Sequence, residues 1–173
     1  MPIKIAAAAL LLVSLWSLLR LALGLRWAKV SREAERRGEE ERGRLVLAEL
    51  PLPSGDVRLL LEDDLAFRWG ADSAAKEAIV GARMVMNGGV LAECARPSFA
   101  LPSPVPPDEF DGHERWEVVV YLAEGGVTAI PCGSLREGVS REIAGRAFEA
   151  VRLALSREAN PARYQRSSWT PAE

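Results

Sequence analysis

Cys132 and His113 are the two side chains whose chemistry would suit a nucleophile and its base, because a thiol beside an imidazole can divide a difficult transfer into two easier steps. Cys132 stands in Ile130-Pro-Cys-Gly-Ser134, and His113, the single histidine, stands in Asp111-Gly-His-Glu-Arg115. A half-buried cysteine and a surface-turn histidine account for the same residues without catalysis, and that is the expectation here. A zinc site built from Cys94, Cys132 and His113 would need a fourth ligand such as Asp111. It also lacks the paired Cys-x-x-Cys or His-x-x-x-His spacing of such sites. The acidic run Glu62-Asp-Asp64 lacks the glycine and the later bidentate glutamate of a calcium loop, so a solvated turn is expected. Met84 and Met86 read as adaptable core packing. Phosphate-loop, dinucleotide and Gly-x-Ser-x-Gly motifs do not occur. The expectation is a protein that is not an enzyme, with no catalytic residue, metal ligand or cofactor assigned; a Cys-dependent enzyme is the lesser alternative.

Composition narrows the classes further. The 173 residues carry 22 Lys and Arg against 24 Asp and Glu, with two cysteines. Two cysteines cannot build a disulfide framework, and one histidine cannot supply a multi-histidine cage. From residue 43 onward 14 basic residues face 19 acidic ones, so nucleic acid is not an expected partner. The Ala-, Arg-, Glu- and Leu-rich composition fits a GC-rich bacterial genome.

The elements that would position any site begin with an apolar segment. Residues 5 to 25 run from Ile5 to Leu25 with Arg20 as their only charge, about the 20 residues that a membrane-spanning helix needs. The expected boundaries are a transmembrane anchor over 1–28, with the lipid bilayer as partner of residues 5–25, and Trp27 at an interface. A cleaved signal peptide, with Ala22-Leu-Gly24 as its cleavage site, is the rival. Arg20 lies between the apolar run and that site, and apolar residues resume after it, which favours an uncleaved anchor. Arg26, Lys29, Arg32, Arg36 and Arg37 follow the span while Lys4 alone precedes it. The positive-inside rule therefore places the carboxyl-terminal domain in the cytoplasm, with a periplasmic or extracellular domain as the alternative. Two lone cysteines fit a reducing compartment, although outside it they would be free to form one bridge.

Residues 29–43 have no periodic apolar face and read as a charged juxtamembrane stalk. Glu33 with Arg37, and Arg37 with Glu41, have the i,i+4 spacing that continues a helix as far as Gly38 or Gly43. Residues 44–158 then change period from helical to alternating. Strands are expected over 44–50, 57–62 and 65–69, with Gly70 closing the third. Ala78, Val80, Ala82, Met84 and Met86 make one apolar face of a fourth strand, and Asn87-Gly88-Gly89 turns it into 90–94. Five prolines between residues 97 and 107 make an extended connection to Asp108-Glu-Phe-Asp-Gly112. Trp116 to Leu122 and Val127 to Ile130 form a second hairpin, stopped by Pro131. Ser134-Leu-Arg-Glu137 has the spacing of a capping box. The helix after it places Ile143, Ala147, Val151 and Leu155 on one stripe beside Ala144 and Phe148, with Arg141, Glu142, Arg146, Glu149 and Arg152 toward water. Asn160-Pro161 ends it, and 159–173 reads as a flexible tail.

The expected fold class is α+β: an N-terminal transmembrane helix, then about seven mostly antiparallel strands in an open barrel or sandwich, closed by a C-terminal amphipathic helix. Over about residues 44–158 this order resembles the pleckstrin-homology-type barrel in topology. The basic pocket of that superfamily's lipid-binding members has no counterpart here, because Arg58 and Arg68 stand near Glu62, Asp63 and Asp64. The expected function is a single-pass, membrane-anchored, non-enzymatic interaction domain that binds a protein partner at the membrane surface. A self-associating scaffold or assembly factor of the bacterial envelope is the alternative.

Overall fold

The computed structural model describes residues 2–52, 56–103, 114–133 and 137–159; within these, residues 2–12, 25, 28, 137, 158 and 159 are described by their backbone alone. Residues 104–113 of the proline-rich connection, with Asp111 and His113, residues 134–136 of the capping-box spacing and the tail from Asn160 lie outside the described residues. The chain divides into two units, 1–43 and 44–173.

The first unit is one helix, α1, Pro2–Glu41. It passes through Gly38 and closes at Gly43, whose φ of +76° lets the chain leave in the left-handed conformation while its N–H donates to the Glu40 carbonyl. Ion pairs along it include Lys29–Glu33 at 3.9 Å and Arg36–Glu40 at 2.9 Å, joined by Arg42–Glu39 at 2.6 Å. The stalk's expected pairs were Glu33–Arg37 and Arg37–Glu41. Glu33 has a base four residues to either side, and its carboxylate settles on Lys29. Among the described residues no helix is long and apolar enough to cross a membrane. The described side chains begin at Val13, and from there Arg20, Arg26 and Lys29 interrupt the apolar sequence.

The second unit is α+β, with two antiparallel four-stranded sheets and a C-terminal helix. The first sheet is a meander of β1 (Leu45–Pro51), β2 (Val57–Glu62), β3 (Ala66–Trp69) and β4 (Asp72–Ala75). Strand β4 is an addition to the seven expected. Its sequence, Asp-Ser-Ala-Ala, has little strand propensity, and it forms because β3 offers four residues to pair with it, Ala66 opposite Ala75 through Trp69 opposite Asp72. The third strand opens at Ala66 instead of Leu65 because Asp63 ties the turn. Its carboxylate accepts from the Leu65 and Ala66 N–H groups at 2.9 and 2.7 Å.

A short 3-10 turn, Lys76–Ala78, leads into the second sheet, in which β5 (Ile79–Met86), β6 (Gly89–Ala95), β7 (Trp116–Leu122) and β8 (Val127–Gly133) stand in the order β6-β5-β7-β8. The Asn87-Gly88 turn forms as its residue types require, with φ of +49° and +77°. Both β6 and β7 run antiparallel to β5 and flank it. The chain leaves β6 opposite Gly81 and enters β7 opposite Met86, at the other end of β5. Leu101 of that connection lies over Gly81, so close that a Cβ there would stand 2.8 Å from its Cδ2. This order, together with the eighth strand, departs from the seven-strand succession expected of the pleckstrin-homology-type barrel.

Two local expectations are corrected by strand irregularities. A register shift between Ile79 and Gly81 turns Ile79 into the core cluster with Ala82, while Val80 is also buried but lies outside that cluster. Pro131 does not stop the last strand, which runs on to Gly133. Strand β8 is an edge, where a residue without an N–H leaves no ladder bond unmade.

The helix α2 (Glu137–Ala159) covers the core shared by both sheets. Ala144, Ala147, Val151 and Leu155 are buried against Leu50, Phe67 and Trp69 of the first sheet and Ile79, Val118 and Ile130 of the second. Ala147, Val151 and Leu155 are the expected stripe, while Ile143, expected on it, is only partly buried and Ala144 beside it is buried in its place. Arg141, Glu142, Arg146, Glu149 and Arg152 are on the other side, and Arg146–Glu142 and Arg152–Glu149 pair along the helix surface.

Candidate functional site

The groove that emerges lies between β1 and α2. Leu45, Val46 and Leu47 make one wall, with Glu62 of β2 behind them; Arg146, Glu149, Ala150, Leu153 and Arg157 make the other, and together they enclose about 400 Å³. The helical wall follows from spacing, since residues 146, 150, 153 and 157 stand on one face of a helix. Three consecutive strand residues on one wall call for another cause, because a regular strand alternates its side chains. Strand β1 supplies two: it ends the first sheet, so one edge has no ladder partner, and its pairing slips between Val46 and Ala48, leaving Leu47 bulged.

The groove is chemically apolar. Leu45 is 58% exposed and Leu153 42%, yet the charged groups at its rim are already engaged. Lys76 Nζ meets Glu62 at 2.7 Å, Glu142 holds Arg146, and Arg152 donates to Glu149 at 2.9 and 2.7 Å. Arg157 is likewise engaged. The charged side chains at the rim already have partners within the chain, so the surface the groove adds for a ligand is chiefly leucine. Sequence reasoning missed this site because its walls are a hundred residues apart. The available signal was Leu153, a large apolar residue on the solvent side of an amphipathic helix, next to Arg152.

Of the residues weighed for catalysis or zinc, Cys94 and Cys132 are described, and they are not brought together; Asp111 and His113 lie outside the described residues. Cys132 is fully buried, its thiol donates to the Ile130 carbonyl at 3.4 Å, and burial pushes its pKa up to about 12. No thiolate forms there near neutral pH. Cys94 is half-buried and its pKa is also raised by burial. The two cysteines are free and belong to β6 and β8, the opposite edges of the second sheet. Three strand spacings, about 14 Å, separate such edges, well beyond the roughly 7 Å limit for a disulfide.

The acidic run has divided roles. Asp63 binds the two turn amides and accepts from Arg68 Nε at 2.8 Å; the arginine, with the amide bonds, outweighs partial burial and lowers its pKa to about 2. Glu62 is taken by Lys76. Among the described residues no group of three or more His, Cys, Asp or Glu could hold a metal ion. Met84 and Met86 pack against the core.

One buried charge was not anticipated. Arg83, in the middle of β5, is 5% exposed; its Nε meets Glu93 at 3.2 Å and its Nη1 donates to the Tyr121 hydroxyl at 3.1 Å, with the guanidinium over the Tyr121 ring. Strand alternation puts Arg83 on the side away from Ala82 and Met84. The cluster ties the three strands β6, β5 and β7 together.

Comparison with known proteins finds no family model, no curated protein and no solved structure that matches this chain.

Proposed function

We propose that the chain is a single-pass membrane-anchored interaction domain whose β1–α2 groove takes apolar side chains of a protein partner. The observation that carries this reading is the pair Leu45 and Leu153, exposed on facing walls of a groove whose charged rim residues already have partners within the chain. A leucine-lined cleft with a neutralised rim suits a packed anchor side chain more than a charged small molecule.

Support for the anchor comes from the residues. In the sequence, Ile5 to Leu25 runs for about the 20 residues of a span with Arg20 as its one charge, and the large apolar side chains described on α1, including Trp16, Leu18, Leu21 and Trp27, are exposed all round the helix. Arg26, Lys29, Arg32, Arg36 and Arg37 favour a cytoplasmic domain. Self-association through β1 is the weaker reading, because a bulge is one of the devices that blunt an edge against another strand.

The test is a photoreactive residue at Leu153 in the full chain, irradiated in native membranes, with the same residue at the exposed Val127 as control. A discrete protein adduct from position 153 and not from 127 is expected. Indistinguishable patterns from the two positions would count against the groove.

A further inference from the structure

Arg20 is the only charged residue between Lys4 and Arg26, and no acidic residue precedes Glu33. At 1.5 Å per residue Glu33 lies about 20 Å farther along α1, so the helix offers Arg20 no carboxylate of its own. At about 100° per residue, Trp16, Arg20, Leu23 and Trp27 fall within about 60° of one another. All four are exposed.

An arginine inside a span commonly reaches for headgroups, but its position here works against that. The nearer boundary, at Arg26, lies about 9 Å toward the carboxyl end. Side chains on a helix leave the backbone toward the amino end, so Arg20 starts out directed away from the boundary it would have to reach. A second copy of the chain would bring another arginine and no acid.

We propose that the Trp16–Arg20–Leu23–Trp27 face docks a membrane-spanning helix of another protein, one carrying an aspartate or glutamate at the depth of Arg20. Charge complementarity selects that occupant: an ionised group inside a span persists by pairing, and the pairing here must come from outside the chain. The proposal rests on reading residues 5–25 as a span, and is independent of the β1–α2 groove.

The experiment places a photoreactive residue at Leu23 of the full chain in native membranes and maps the adducts by mass spectrometry, after part of each sample has been washed with alkaline carbonate. The expected adduct joins Leu23 to an apolar helix of another membrane protein with an acidic residue within one turn of the cross-link. Its yield should fall more than about tenfold in Arg20→Leu, because losing one partner of a desolvated charge pair costs at least that factor, and should persist in Arg20→Lys. Exchanging the charges, Arg20→Glu with arginine in place of the partner's carboxylate, should restore it. Adducts to lipid alone, an adduct undiminished in Arg20→Leu, or a partner helix without an acid would overturn the proposal. If the full chain leaves the membrane in carbonate, the anchor reading falls and this proposal with it; a chain that stays and labels only lipid overturns the proposal alone.

Discussion

Replacing Leu45 and Leu153 together by serine separates binding from folding in the β1–α2 groove. The two side chains are 58% and 42% exposed, the equivalent of one whole leucine left for a partner to cover. Full burial of a leucine is worth about 2 kcal/mol, so a partner that covers both loses roughly thirtyfold in affinity in the double variant. A similar amount of leucine surface is buried in the fold itself, which sets the stability cost at about 2 kcal/mol or less. The assay has two arms on the full chain. Adduct yield from a photoreactive residue at Arg146, read in native membranes with the partner below saturation, reports binding; urea unfolding in detergent reports stability. The expected result is a large loss of adduct from a protein that remains folded. Unchanged adduct yield from folded double variant would refute the assignment of the groove.

The Asp63 carboxyl is held at about 2 against an ordinary 3.8, so its contribution is fully present above about pH 4 and is lost as pH falls toward 2. With solvent screening at this partly exposed site, about 1 kcal/mol separates wild type from Asp63→Asn at neutral pH, and urea unfolding at pH 7 and pH 2.5 should show that gap closing in acid. Cys132, raised to about 12, should react with iodoacetamide slowly throughout pH 5 to 9, and more slowly than Cys94; rapid labelling near neutrality, read by mass spectrometry, would revive a nucleophilic role. Gly133 has a φ of +97°, and a Cβ there would stand 2.4 Å from Pro51 Cγ, so Gly133→Ala should lower stability by about 2 kcal/mol or more, read as a shifted urea midpoint.

Local chemistry was legible in the sequence where one segment decides its own structure. Asn87-Gly88 specified its turn, residues 57–62 their strand, and the spacing from Ala144 to Leu155 its buried stripe. What could not be read depends on partners distant in the chain. Strand β4 is polar and short, and exists because β3 pairs with it. The order β6-β5-β7-β8 is set by a crossover whose prolines disfavour a helix or a central strand but do not say where it lands. Pro131 stops a central strand but not an edge, and alternation alone does not reveal which strand is the edge. The same limit hid the groove, since neither Leu45 nor Leu153 is unusual until β1 and α2 face each other. Arg83 shows the limit from the other side: an arginine among apolar residues reads as a solvent-facing position, and only Glu93 and Tyr121 on neighbouring strands make its burial possible.

The tether proposed for residues 5–25, with the domain on the cytoplasmic face of the membrane, can be tested at Glu124 on the exposed β7–β8 turn. Carbonate-washed vesicles carrying full-length Glu124→Cys would be treated with a membrane-impermeant maleimide in both orientations; the burial of Cys132 and partial burial of Cys94 keep their background low. The chain is expected to stay with the vesicles, and Glu124→Cys to label in inside-out vesicles and be protected in right-side-out ones. A chain found in the carbonate supernatant would contradict the tether, and labelling in right-side-out vesicles would contradict the cytoplasmic domain.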